Sequence, residues 1–434
     1  MSSLVGILFG LGLFIFLAIK GYNLVLSALG CTCVMLAFSG LHPYEGVLEL
    51  YLPALADFVQ RYFILFLFSA LIGRLMGDGG SARRIALALA HLIGRSRNNR
   101  RFFCSLLVPV LYFFLCFVGI SGFVVVFTVL PIAKSLYEET DTPWQLYCCG
   151  GAQSVSAAML SGSLQSGNVY AADYCHTPLT AGLGLSLLAT VVFWGVSLVM
   201  LRVTVNRLER NGEGFLPTGA GIVEAHVEEA IPEGELPGLL PSLFPLAVVI
   251  VLAAGFGLPV APVLLLGCLL TALICRKNLA RRWKETLAQG TTASFGPILC
   301  VAATYAIGVV LKGLEGFGYL EAGLSALPHL LRGSGLGLVA AFVMASVTAP
   351  IPAFADQMLS HYTAAGLSAG SAHRMMTITA FTSIAPHNAG ISNAATVLRL
   401  PFGRCLRIYM LYTYVPGFCA LGACWGAVAL GLIH

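Results

Sequence analysis

Two short runs of side chains able to grip a small polar molecule stand where the surrounding sequence is apolar. The first is Ser161-Gly162-Ser163-Leu164-Gln165-Ser166-Gly167-Asn168 and the second Ser383-Ile384-Ala385-Pro386-His387-Asn388-Ala389-Gly390. Serine, glycine, asparagine and proline all disfavour a continuous helix. Two further interruptions occur: Val118-Gly119-Ile120-Ser121-Gly122 inside Phe102–Ala133, and Ser346-Val347-Thr348-Ala349-Pro350-Ile351-Pro352 inside Gly333–Tyr362. Opening a helix in hydrocarbon strands backbone N–H and C=O groups at a cost of several kcal/mol each, so they must meet water, protein or a ligand. Half-helix N-termini carry partial positive charge and suit a carboxylate, whereas freed carbonyls and asparagine side chains suit a small cation.

Gly119, Ser121, Gly122, Ser163, Gln165, Asn168, Thr348, Pro386, His387 and Asn388 are therefore the expected solute site. No basic cluster lies in the breaks. That argues against phosphorylated or tricarboxylate solutes and for small monocarboxylates, hydroxylated ones included. His387, with an ordinary pKa of about 6.5, is a candidate carrier of a coupling proton, or a neutral hydrogen-bonding partner of the solute. Asp356, just past the second tip, is a second candidate for a proton or sodium ion, or a residue of a water-filled vestibule. Asp57 and Arg61, four residues apart, are expected to neutralise each other on one helix face. Asp173, His176, His361 and His373 are expected near a membrane edge in structural roles.

These breaks need a membrane around them. The chain of 434 residues is 58% hydrophobic and 10% charged, with mean hydropathy +0.87, which a water-soluble domain could not hide. Charge-free runs such as 177–201, 239–275 and 408–433 reach the roughly 20 residues that cross a hydrocarbon core. The first run, from Ser3, has no basic leader and no small-residue cleavage site, and reads as a retained helix. The 13 cysteines sit mostly in apolar runs without metal or redox spacing, so no metal and no cofactor is expected beyond a coupling proton or sodium ion.

Most of the 24 Lys and Arg residues cluster at Lys20, 74–101, Lys134, 202–210, 276–284 and 399–407. Holding these on the cytoplasmic side places spans at about 3–19, 22–40, 50–76, 143–172, 179–201, 239–256, 260–275, 288–311, 371–398 and 408–433, with both termini outside the inner membrane. Phe102–Ala133, about 48 Å long as one helix, and Gly333–Tyr362 then read as re-entrant hairpins from opposite faces; one long tilted helix is the alternative for the first. The expected fold is an all-α polytopic membrane protein of inverted repeats. It has about ten transmembrane helices, two re-entrant hairpins and two discontinuous helices: 1–49 N-terminal helices, 50–205 first repeat, 206–238 cytoplasmic linker, 239–287 connecting helices, 288–434 second repeat. This is the architecture of secondary transporters with a midplane site.

The run Leu71-Ile72-Gly73-Arg74-Leu75-Met76, the continuation Gly79-Gly80-Ser81-Ala82-Arg83-Arg84-Ile85-Ala86, Val118-Gly119-Ile120-Ser121 and Pro386-His387-Asn388 together resemble the gluconate permease family over about 50–410. The resemblance implies membership of the ion transporter superfamily and proton-coupled uptake of sugar acids or hydroxy acids. It also implies a homodimer with scaffold and mobile transport domains, working by an elevator-like movement. The family's proline-rich pattern in the first break is here Ser161-Gly162-Ser163-Leu164-Gln165, so the solute is left open. Sodium-coupled carboxylate or amino-acid symport is the runner-up. An intramembrane enzyme would need convergent acidic, His or Cys residues that the breaks lack, and a channel suits two unequal breaks less well. The expected partners are a small organic anion and the lipid bilayer, with no nucleic acid.

Overall fold

The computed structural model describes residues 2–94, 99–223, 231–386 and 388–433. They form helices joined by short turns, with no strand among the described residues. The first half runs α1 (Ser2–Ile19), α2 (Leu24–Phe38), the short α3 (Pro43–Gly46), α4 (Leu52–Asp78), α5 (Ser81–Gly94), α6 (Arg100–Phe117), α7 (Gly122–Glu139), α8 (Cys148–Met159), α9 (Ser166–Cys175) and α10 (Leu183–Arg210). After α11 (Leu216–Val223) in the linker, the second half runs α12 (Leu239–Ile250), α13 (Val260–Ile274), the short α14 (Arg276–Leu279), α15 (Trp283–Gly313), α16 (Glu315–Leu324), α17 (His329–Val343), α18 (Pro350–Ala364), α19 (Ala369–Thr382), α20 (Ala389–Val397) and α21 (Phe402–Ala429).

The order recurs: a helix pair, a long helix, a short connecting helix, a hairpin, a helix broken in its middle and a long closing helix. Packing recurs with it. Long helices α4 and α15 lie against each other, α13 packs on α4 as α2 packs on α15, and α12 meets α5 as α1 meets α16. Each second half-helix packs on the other half's hairpin, α9 on α18 and α20 on α7. Exchanging the halves leaves these contacts in place, which is the signature of a two-fold relation between repeats. One group of helices is built on α4 and α15. The other is built on α10 and α21, which pack together and enclose the hairpins and broken helices, and α5 and α16 join the two groups.

Local chemistry explains the ends. Asn23 caps α2, its Oδ1 accepting from the N–H groups of Val25 (3.0 Å) and Leu26 (3.2 Å). Pro350 opens α18 at its first turn, where a missing N–H costs nothing. Along α10, Leu183, Leu187, Val191, Val199 and Val203 are all exposed and, with Gly195 between Val191 and Val199, recur every four residues, an apolar stripe that acyl chains rather than water must cover. Among the described residues five helices, Leu183–Arg210 and Trp283–Gly313 included, are long and apolar enough to cross a membrane, and shorter apolar helices accompany them. The protein is a polytopic, all-helical membrane protein.

The first hairpin is a true reversal rather than one long helix. Gly119 has φ +93°, and its N–H bonds Cys116 O at 3.0 Å while the Ile120 N–H bonds Leu115 O at 3.0 Å, the paired closure of a Schellman end. A Cβ on Gly119 would meet Leu164 at 3.2 Å, so the turn and the close approach both call for glycine. The second hairpin turns in the same way on Ala345, at φ +51°, with Ala345 N–H to Phe342 O and Ser346 N–H to Ala341 O, both at 3.3 Å.

The linker is pinned at both ends. Asp141 accepts from Arg101 (2.5 Å) and from the N–H of Phe215 (2.8 Å). Further on, Arg83 bonds the Ile231 carbonyl, Arg84 bonds Pro237 O at 2.8 Å and Asn278 bonds Glu235 O at 3.2 Å.

Candidate functional site

A cavity of about 180 Å³ lies where the two hairpin tips and the two breaks come together against α4 and α15. Its lining includes Gly119, Ser121 and Gly122 of the first tip, Gln165 and Ser166 of the first break, Ser346 and Thr348 of the second tip, and Asn388, Gly390 and Asn393 of the second break. Ser69 of α4, Pro297, Cys300 and Thr304 of α15, and Tyr112, Ser154, Phe381 and Tyr409 complete its walls. Among the described lining residues none carries a charge. Volume and lining suit a small solute rather than a drug-sized one.

The helices are aimed. Ser121-Gly122 opens α7, Gln165-Ser166 opens α9, Thr348 stands just before Ala349, the N-cap of α18, and Asn388 caps α20. Residues at the N-terminal ends of these helices all line the cavity, so their partial positive charges add there. The opposing C-terminal ends are capped by donors. Phe117 O accepts from the Leu164 N–H at 2.8 Å, and Ala345 O accepts from Asn388 Nδ2 at 2.8 Å. Tyr414 donates to Ile384 O at 2.6 Å, just past α19. Each break is thus sewn to the hairpin tip of its own repeat.

Of the residues expected from sequence, Gly119, Ser121, Gly122, Gln165, Thr348 and Asn388 meet at the cavity. Ser163 and Asn168 are buried beside it and hydrogen-bonded within the protein, Asn168 Nδ2 donating to Ser163 O (2.6 Å) and Leu179 O (3.2 Å). Pro386 is outside the lining, and Asp356 is exposed on α18, also outside it. His387 lies outside the described residues. Gln165 donates from Nε2 to Ser154 O at 3.3 Å, and its buried Oε1 accepts from no described residue. A buried acceptor left so costs about 1–3 kcal/mol, which a donor carried by a solute or a water would relieve.

One expectation from sequence is modified by the fold. Arg61 bonds Tyr174 Oη at 2.9 Å and lies 4.0 Å from the Asp173 carboxylate, so its contacts reach α9, while Asp57 four residues back acts on it only through space. His373, expected in a structural role, is fully buried within α19. Its Nε2 lies 2.7 Å from Asn168 Oδ1 and its Nδ1 2.7 Å from Thr177 Oγ1. Because the Asn168 amide nitrogen is committed to two carbonyls, Nε2 donates and Nδ1 accepts.

Arg374, beside it, is not among the residues to which the breaks point. It is 0% exposed, and its guanidinium donates to Leu179 O (2.7 Å), Ala181 O (2.7 Å) and Ala158 O (3.5 Å). Leu179 O also accepts from the Gly162 N–H at 3.0 Å, so this carbonyl ties the first break, α9 and α19 together. The signal was available: Arg374 is the one basic residue inside the expected span 371–398, remote from the basic clusters.

No family model matches the chain. Over 364 residues, 74% of this chain and 75% of the relative, it is 25% identical to a protein of Bacillus subtilis (strain 168) named "Uncharacterized transporter YxjC". A solved structure, the Alcanivorax borkumensis YdaH transporter, superposes with a TM-score of 0.47 at 14% identity, covering 87% of this chain and 88% of that one. The chain is a polytopic all-helical membrane protein, similar over about three quarters of its length to a bacterial transporter.

Proposed function

We propose that the protein is a secondary active transporter that carries a small organic anion, a sugar acid or hydroxy acid, across the cytoplasmic membrane by proton symport. The observation that carries the reading is the convergence of the N-terminal ends of α7, α9, α18 and α20 on one cavity with neutral hydroxyl and amide walls. Such a site holds a single carboxylate by dipoles and hydrogen bonds. Gln165 Oε1, which accepts from no described residue, adds a preference for a solute with a hydroxyl to donate. Likeness to a bacterial transporter supports the general class. The cavity lies between the α4–α15 pair and the group carrying the breaks, so an elevator-like shift of that group against α4 and α15 would carry the solute with it.

Ligand binding is tested by a thermal-shift screen of the purified chain against small carboxylates and their neutral analogues. A true ligand at 100 times its Kd stabilises by about 2.7 kcal/mol. Carboxylates raising Tm while neutral analogues do not is the expected outcome; indifference to every carboxylate would overturn the reading.

Proton coupling is assigned to His387 by its position between Pro386 and Asn388, with Asp356 the second candidate. In proteoliposomes, His387→Gln is expected to keep solute exchange but lose acceleration by an inward proton gradient, while Asp356→Asn keeps it. The reverse pattern would transfer the role to Asp356. Acceleration by an imposed sodium gradient alone would replace the proton with sodium.

A further inference from the structure

We propose that Arg374 sets the charge selectivity of the cavity: anchored on Leu179 O and Ala181 O, it holds a full positive charge against the last turn of α8, and so biases the site toward anions. This rests on the proposed solute site and adds a residue that does not itself line it.

The C-terminal ends of the same half-helices also approach the breaks, and their partial negative charges offset part of the positive charge that the converging N-termini place at the cavity. The balance depends on how each C-terminal end is closed. The ends of α6 and α17, and the turn after α19, are closed by neutral donors: the Leu164 N–H, the Asn388 amide and the Tyr414 hydroxyl. Ala158 O, in the last turn of α8, faces Arg374 Nη1 at 3.5 Å, and the guanidinium is held there by its closer bonds, both 2.7 Å, to Leu179 O and Ala181 O in the loop before α10. Ser154 and Val155 of the same helix line the cavity, and Ala158 is one turn further on, about 5 Å along the axis.

All the hydrogen-bond partners of Arg374 are carbonyls. Among the described residues the ion pairs are Arg61–Asp173, Arg74–Asp78, Arg100–Glu139 and Arg101–Asp141, so no carboxylate cancels its charge. Burying an unneutralised guanidinium in a membrane protein is costly and is retained where its charge is used. By Coulomb's law a unit charge acting across about 10 Å at an effective dielectric of about 20 is worth about tenfold in the binding of an anion and nothing for a neutral solute, which sets the scale of the expected effect.

The test separates charge from structure. Full-length wild type, Arg374→Lys and Arg374→Gln are purified, and binding of D-gluconate and of its neutral amide, D-gluconamide, is measured by ligand-induced thermal shift. Lysine keeps the charge but cannot span the three carbonyls; glutamine loses the charge. Both variants are expected to melt below wild type. Arg374→Lys keeps the preference for gluconate, and Arg374→Gln loses about tenfold in gluconate affinity with gluconamide unchanged. Equal losses for both probes, or a preference that follows Tm rather than charge, would leave Arg374 as a structural clamp and overturn the inference. A gluconate preference that survives in Arg374→Gln overturns it as well. If wild type binds neither probe, the pair is replaced by the carboxylate that the thermal-shift screen identifies and its amide; indifference of the wild type to every carboxylate overturns the solute site and the inference with it. Should Arg374→Gln not fold, Arg374→Met and the Arg374→Lys preference decide the matter by the same criteria.

Discussion

Asn388→Ala is expected to lower apparent solute affinity by about a hundredfold while leaving the protein folded. One side chain makes two closures at the cavity: Oδ1 accepts from the Gly390 N–H at 2.8 Å and caps α20, and Nδ2 donates to Ala345 O at 2.8 Å at the second hairpin tip. Losing the cap costs about 1 kcal/mol. Stranding the tip carbonyl costs about 1–3 kcal/mol more. Both fall on the assembled arrangement of break and tip, so the binding-competent population drops and apparent affinity falls in proportion, tenfold for each 1.4 kcal/mol. Asn388→Asp keeps the cap but loses the donor and brings a negative charge to the wall, and is expected to be no better. Thr396→Ala, on the exposed face of the same helix, removes only a hydroxyl bonded to Ser392 O and is the control. Isothermal titration of the three variants with the transported solute checks this; affinity within threefold of wild type in Asn388→Ala would refute the role.

Gly182→Ala, at the N-cap of α10 where Arg374 is held, is expected to be strongly destabilising. Gly182 sits at φ +63° at the start of α10, a conformation costing an alanine about 1–2 kcal/mol. The added Cβ would also stand 2.4 Å from the Gly370 carbonyl oxygen and 2.4 Å from Arg374 Cγ. The first of these is backbone and cannot swing away. Moving the second pulls the buried guanidinium from its carbonyls, and a partly unsatisfied buried cation adds about 3 kcal/mol or more. Gly212→Ala is the matched control: φ is +68° and nothing lies within 4 Å of its Cβ, so it carries only the backbone strain. Monodisperse yield and Tm in detergent should fall sharply for Gly182→Ala and slightly for Gly212→Ala. Equal effects would mean that Arg374 is not held as described.

Much of this arrangement is legible in the sequence because breaks at membrane depth have local causes. Gly119, Gly122, Pro350, Pro352 and the Ser-Gly and Pro-His-Asn runs are residues that end helices, and they stand in the middle of apolar stretches where an end has to be explained. That logic located both tips and both breaks, and six of the expected site residues line one cavity. What it could not reach are partners brought together by packing alone. Arg61 lies four residues from Asp57, but its hydrogen bond goes to Tyr174, 113 positions away. Arg374 is satisfied by Leu179 O, 195 positions away, and a backbone carbonyl leaves no mark in a sequence. Asn168 looked like a solute ligand for the same reason: its type was visible, its commitment to Ser163 O, Leu179 O and His373 was not.

The central claim, that the convergent breaks hold and move an organic anion, is tested most directly by transport itself. Purified protein in sealed proteoliposomes is given radiolabelled D-gluconate and related hydroxy acids, with an imposed inward proton gradient, an inward sodium gradient or neither. The account predicts accumulation of a hydroxy acid above its external concentration with the proton gradient, collapse of that accumulation on adding a protonophore, and no accumulation of neutral polyols. Equal uptake of acids and polyols, or no accumulation under any gradient, would contradict it.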